Sequence, residues 1–178
     1  ILVVDLDPQG NATTGLGLSN VESSGETIYG VLNGTKTINE VIKKTSFQNL
    51  DIITSNVDLS GLEVETAGDS KRAFILKDQL TAYLNDSRAL YDYILIDCPP
   101  SLSLLTVMAL VSSDSLVVPL QTEFFALEGL TQLMKTIERI KVNLNPGLKI
   151  RGILLTMYDK RNKLSSQVEK EARDYFSD

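Results

Sequence analysis

Apolar positions follow two rhythms along this chain. Short runs dominated by apolar, often β-branched residues occupy positions 1–4, 50–54, 93–96, 115–120 and 148–157. Each reads as a strand buried in a sheet. Between them, apolar residues recur every three or four positions, the period of a helix with one face inward. Thr27 is placed to cap a short helix through Leu32, which Asn33-Gly34 stops. Thr37 is placed to cap a second over 38–44, with Ile38, Val41 and Ile42 on one face. Positions 59–67 suggest a helical piece. From Asp69 or Ser70 a longer helix is expected, with Phe74, Leu76, Leu80, Tyr83 and Leu84 as its stripe. Positions 102–111 are so apolar that the helix there should be buried. Leu130, Leu133, Met134, Ile137 and Ile140 mark the inner face of a helix over 127–142, which Pro146-Gly147 ends. The last helix, 164–176, should turn Val168, Ala172 and Tyr175 or Phe176 inward. Positions 11–25, rich in Gly, Ser and Asn, predict a loop.

Strands alternating with helices predict an α/β fold in three layers, a mostly parallel sheet with helices on both faces. No repeat, low-complexity tract or linker interrupts it. One domain over 1–178 is expected, and 178 residues suffice to bury a core.

Composition removes several chemistries. With no histidine and one cysteine, a His-based triad, His-ligated zinc and an internal disulfide are excluded within these residues. Cys98 follows a buried strand and reads as an inert, small apolar residue. No apolar run reaches membrane-spanning length and no signal peptide is visible, which predicts a cytoplasmic location. The net charge is −6, yet between Lys135 and Lys163 eight bases face two acids. That stretch is a candidate anion-binding surface in an otherwise acidic chain, or simply a solvated face.

The candidate chemistry lies where strands end. The first apolar run delivers Asp5 and Asp7, two apart and so on one side of an extended chain, before Pro8 and Gly10 stop it. Residues 93–96 lead in the same way into Asp97, then Cys98-Pro99-Pro100. In open α/β sheets ligands sit at the carboxyl ends of strands. Acids delivered there suit a metal, a phosphate held through a metal, or a water to be polarised. A solvated turn is the plain alternative for either strand alone.

These residues resemble a known family. Asp5-Leu6-Asp7-Pro8-Gln9-Gly10-Asn11-Ala12-Thr13, followed by Gly15-Leu16-Gly17, resembles the segment after the P-loop helix of ParA/Soj-type partition ATPases. Asp97-Cys98-Pro99-Pro100-Ser101-Leu102 resembles their Walker B strand and the switch after it. Val118–Gln121, Glu123–Gly129 and Gly152–Asp159 match in the same order, so the resemblance covers nearly the whole chain. It implies a P-loop NTPase-like sheet that binds ATP and magnesium. Asp7 is then the catalytic residue, orienting or deprotonating the attacking water. Asp5 and Asp97 hold magnesium, directly or through water. Gln9, Asn11 and Pro99 join them at the nucleotide, Pro99 within a switch loop. Arg161, flanked by Lys160 and Lys163, is a DNA contact, with Arg151 a weaker candidate; pairing of Arg161 with Asp159 is its structural alternative. The implied partners are a second copy in the ATP-bound dimer, non-specific DNA and a centromere-binding adaptor, with no membrane; the implied location is the nucleoid. The chain contains no Gly-x4-Gly-Lys-Ser/Thr: Gly10 and Gly15 have the spacing, but Leu16 stands where lysine is needed. The resemblance thus places the P-loop before Ile1 and further base-holding segments after Asp178. The chain is therefore expected to be a fragment, inactive alone.

Three other readings stand beside this one. A MinD-type membrane-associated ATPase shares the acidic strands. A haloacid-dehalogenase-like phosphatase would use Asp5 as nucleophile and the Thr54 segment as its second motif. A non-catalytic interaction module would keep the sheet alone.

Overall fold

The computed structural model describes residues 1–18, 25–86, 90–123 and 126–175. Its contacts resolve two compact units, Ile1–Ser112 and Ser113–Asp178.

The first unit is built on a four-stranded sheet of β1 (Leu2–Asp5), β2 (Ile42–Lys44), β3 (Asp51–Ile53) and β4 (Ile94–Asp97), in the order β2-β3-β1-β4. β1 runs parallel to both β3 and β4, and β2 is antiparallel to β3. Leu2, Val4 and Ile53 point to one face, where a core forms with α2 (Ile28–Leu32), α3 (Ile38–Val41), α5 (Ile75–Asn85) and α6 (Leu104–Ser112). Two short helices, α1 (Asn11–Gly15) and α4 (Leu62–Glu65), complete the unit, with single 3-10 turns at Val57–Gly61 and Arg72–Phe74. The apolar α6 buries seven of its nine residues, as its composition predicts. On the other sheet face Leu95, register partner of Val3 on the edge strand β4, stays 54% exposed.

The second unit pairs β5 (Ser115–Gln121) with β6 (Lys149–Thr156) in parallel, with one irregularity between Leu116 and Val117. α7 (Ala126–Asn143) and α8 (Lys163–Tyr175) supply Leu130, Val168 and Ala172 to a core with Val118 and Leu120. Asn162 caps α8, its side-chain oxygen accepting the Leu164 N–H at 2.9 Å. Phe176 and part of the 11–25 segment lie outside the described residues. So does the side chain of Tyr175.

Three sequence expectations change. The helix expected over 38–44 stops at Val41, and Ile42–Lys44 turns into β2. The loop expected from Asn11 begins instead as α1. Leu84, placed on the inner stripe of α5, is 54% exposed. The α/β class and the mostly parallel pairing stand as expected.

Candidate functional site

Asp5 and Asp97 close β1 and β4 as register partners, so the topology sets both acids at the carboxyl ends of adjacent parallel strands. Their surroundings differ. Asp5 is fully buried. One of its oxygens accepts the Asp7 N–H at 3.2 Å; the other accepts the Thr13 N–H and Oγ–H, both at 2.7 Å. Charge-assisted bonds of this kind satisfy a buried carboxylate, and they leave Asp5 facing protein. The resemblance gives Asp5 a place at magnesium, directly or through water; in this geometry both of its oxygens are already engaged, so direct ligation would first have to break these bonds. The same geometry removes the phosphatase alternative, which needs an accessible nucleophilic oxygen.

Asp97 is exposed. Partial loss of hydration by its carboxylate at the strand end, and then the neighbouring Asp5 and Asp7 charges, push its carboxyl above the usual range. Asp7 lies just past the end of β1 and is half-buried; one oxygen accepts the Gln9 N–H at 2.9 Å, closing the Pro8-Gln9 turn. Gln9 and Asn11 are exposed on that turn and on the first position of α1. The turn needs Gly10 at φ 63°, where a Cβ would also lie 3.3 Å from the Ser55 carbonyl oxygen. Pro99 is half-buried, and its carbonyl accepts from the Thr106 hydroxyl at 3.1 Å; the Ser101 carbonyl is a second acceptor at 2.5 Å. Cys98 has its thiol pushed up to about 11 by burial and then by Asp97 and Asp7, so it stays protonated at neutral pH.

The residues present fit magnesium in a limited way. Among the described residues no three carboxylates or thiols gather closely enough to hold a metal. Magnesium does not need such a cage: it keeps several waters and takes one or two carboxylates plus substrate phosphates. Asp97, exposed and crowded by two like charges, fits that role.

The basic candidates sit on the loop between β6 and α8. Arg161 is 91% exposed and pairs with Asp159 through Nε at 3.0 Å and Nη2 at 2.8 Å. The Arg161 contact holds the Asp159 carboxyl below its ordinary range. Lys160 and Lys163 are exposed beside it. Arg151, on β6, instead lines a cavity of about 460 Å³ with Ile150, Ile153, Glu169 and Arg173. None of the acids at the ends of β1 and β4 lines it.

Sequence reasoning missed Thr13, Ser55 and Thr106 as supports of these loops. Thr13 lay inside a recognised run. Its bond to Ser55, 42 positions away, has no sequence signal.

Acids at adjacent parallel strand ends, on a mostly parallel sheet with helices packed against it, define a P-loop NTPase-like α/β protein. A family model described as an AAA domain matches residues 1–150. The chain is 49% identical over its full length to the chromosome partitioning protein ParA of Caulobacter vibrioides, covering 66% of that protein. It is 45% identical over its full length to the sporulation initiation inhibitor protein Soj of Bacillus subtilis, covering 68% of it. The crystal structure of cobyrinic acid a,c-diamide synthase from Mycobacterium smegmatis, with bound ATP analog and magnesium, superposes with a TM-score of 0.87 at 35% identity. That superposition covers 97% of this chain and 68% of the synthase. The chain belongs to the ParA/Soj family of partitioning ATPases, and it spans about two thirds of the length of the curated relatives it matches.

Proposed function

We propose that the protein containing this chain is an ATP-dependent partitioning protein, in which ATP hydrolysis controls dimerisation and non-specific DNA binding. The supporting observation is the convergence of Asp5, Asp7 and Asp97 at the carboxyl ends of β1 and β4, with only Asp7 and Asp97 accessible. Magnesium with ATP neutralises phosphate charge when bound. Asp97 would hold the ion, directly or through water. Asp7, with one oxygen fixed by the Gln9 N–H, would orient or deprotonate the attacking water with the other. Asp5 sets the turn from behind. Gln9, Asn11 and Pro99 would border the nucleotide.

Residues 1–150 match one family model across both compact units, which supports treating them as one functional domain. Dimerisation on ATP, DNA contact through Arg161, Lys160 and Lys163, a centromere-binding adaptor and a cytoplasmic, nucleoid-associated location belong to the same proposal. Among the described residues no helix is long and apolar enough to cross a membrane.

The test is ATP hydrolysis by the whole gene product. Asp7→Ala should keep ATP binding and lower kcat by about a hundredfold or more. Turnover at the parental rate would remove Asp7 from this role. The 178-residue chain alone contains no P-loop sequence and should bind ATP–magnesium weakly in calorimetric titration.

A further inference from the structure

The acid cluster has a support that its motif does not name. Asp5 is held by three donated hydrogen bonds, two of them from Thr13. Thr13 is 3% exposed. Its hydroxyl also accepts the Ser55 N–H at 3.0 Å, so one side chain joins the start of α1, the end of β1 and the segment after β3. Ser55 is buried as well. Gly10 permits the close approach at this seam: its backbone φ is 63°, and a Cβ there would lie a tight 3.3 Å from the Ser55 carbonyl oxygen. From Asp5 the chain of bonds continues to the Asp7 N–H, and Asp7 in turn fixes the Gln9 N–H. One continuous chain of hydrogen bonds therefore links Ser55, through Thr13 and Asp5, to the backbone that carries Asp7.

We propose that Thr13, clamped by Ser55, is a positioning residue for Asp7, acting through the buried Asp5. The proposal rests on the reading of Asp7 as the water-orienting acid. Asp5 cannot itself reach substrate, since it is buried and its oxygens face Thr13 and the Asp7 amide. What it can do is hold the turn, and its own geometry depends on the Thr13 hydroxyl. Misplacing a reacting group by about 1 Å costs on the order of a hundredfold in rate. Loss of positioning at the water lowers kcat while ground-state binding of ATP, made elsewhere, is kept.

Thr13→Val keeps the shape and removes the hydroxyl. In the whole gene product it should lower kcat for ATP by about tenfold or more, with KM changed less than about twofold. Thr13→Ser, which restores the hydroxyl, should keep at least about a third of the parental kcat. Gly10→Ala reaches the same seam from the backbone and should reproduce the Thr13→Val effect. Parental kcat in Thr13→Val, or equal losses in Thr13→Ser and Thr13→Val, would overturn the proposal.

Amide hydrogen exchange separates this from failure of the ATPase reading. If the parental protein does not hydrolyse ATP, the ATPase reading falls and exchange alone decides the clamp. Thr13→Val should lose about tenfold or more protection at the Asp7 and Ser55 amides while the β1 ladder keeps its own. Retained protection at both would overturn the clamp. Should Thr13→Val fail to fold, the parental protein decides. The Asp7, Thr13 and Ser55 amides must then open as one unit, and separate opening would overturn it.

Discussion

Two acids of the same sheet answer pH in opposite directions, and each direction follows from its neighbours. At one end of the strands, the exposed Asp97 lies beside Asp5 and Asp7, and partial loss of hydration together with those two charges raises its carboxyl. A raised folded value means the favourable contribution is present at low pH and is lost as pH rises through that value. Asp97→Asn should therefore stabilise the chain at pH 7, by under about 1 kcal/mol for a carboxylate so open to water. The gain should vanish below the ordinary carboxyl range. At the other end, burial alone would raise Asp51, but hydrogen bonds from Lys44 and Tyr91 outweigh it and hold its carboxyl low. Its contribution is present above the ordinary carboxyl range and is lost as pH falls through the depressed value. Burial and then Asp51 push the Tyr91 hydroxyl well above its usual range, so that hydroxyl remains a donor at neutral pH. Tyr91→Phe should cost about 1–2 kcal/mol at pH 7 and less in acid. Urea unfolding of both variants between acid and neutral pH checks the signs; a Tyr91→Phe loss that grows in acid would contradict the assignment.

Element by element, what the sequence could disclose was local. β1, β4 and α6 announce themselves through apolar runs and their stops. β2 does not: Ile38, Val41 and Ile42 fit a helical face, and only pairing with Asp51–Ile53 and the Lys44–Asp51 ion pair at 2.7 Å make Ile42–Lys44 a strand. α3 accordingly ends one residue after its capping Glu40, which accepts from both the Thr37 N–H and Oγ–H at 2.8 Å. α1 was hidden by its composition. Gly, Asn and Thr favour loops in isolation, and here Gly10 in the left-handed region and the Asp5–Thr13 bonds close a helical turn. The site followed the same rule. Asp5, Asp7 and Asp97 were visible from spacing, but not the burial of Asp5 or the bonds from Thr13 and the Asp7 amide that set it apart. α8 offers a local test of element stability. Its cap is a single side chain, so Asn162→Ala should lower unfolding free energy by about 1 kcal/mol. Asn162→Asp should retain most of it, since aspartate caps equally well. A neutral Asn162→Ala in thermal unfolding would show that the end of α8 is held by other contacts.

At the scale of the whole molecule, charge is distributed against the net. The chain carries −6, yet eight of its 17 bases lie between Lys135 and Lys163. Arg161, Lys160 and Lys163 place three of these on one exposed loop and the helix start after it. The contact visible in the structure is Arg161 with Asp159, the alternative the sequence also offered. An exposed pair of this kind is held only weakly in water, and a charge-assisted bond to phosphate that releases counterions can displace it. Asp159 therefore competes with an incoming phosphate for Arg161. For the proposed DNA-binding dimer, this competition sets signs for two substitutions. With hydrolysis blocked by Asp7→Ala and ATP present, Arg161→Glu should weaken binding of unrelated duplexes by about tenfold or more. It should also flatten the dependence of log affinity on log salt by about one unit for each phosphate no longer neutralised. Asp159→Asn should act oppositely, strengthening binding a few-fold at low salt because the guanidinium loses its resident carboxylate. A titration series in salt with fluorescent duplexes measures both. Unchanged affinity in Arg161→Glu would remove this loop as the DNA-binding surface. Weaker binding in Asp159→Asn would mean that Asp159 orients Arg161 toward phosphate instead of competing for it.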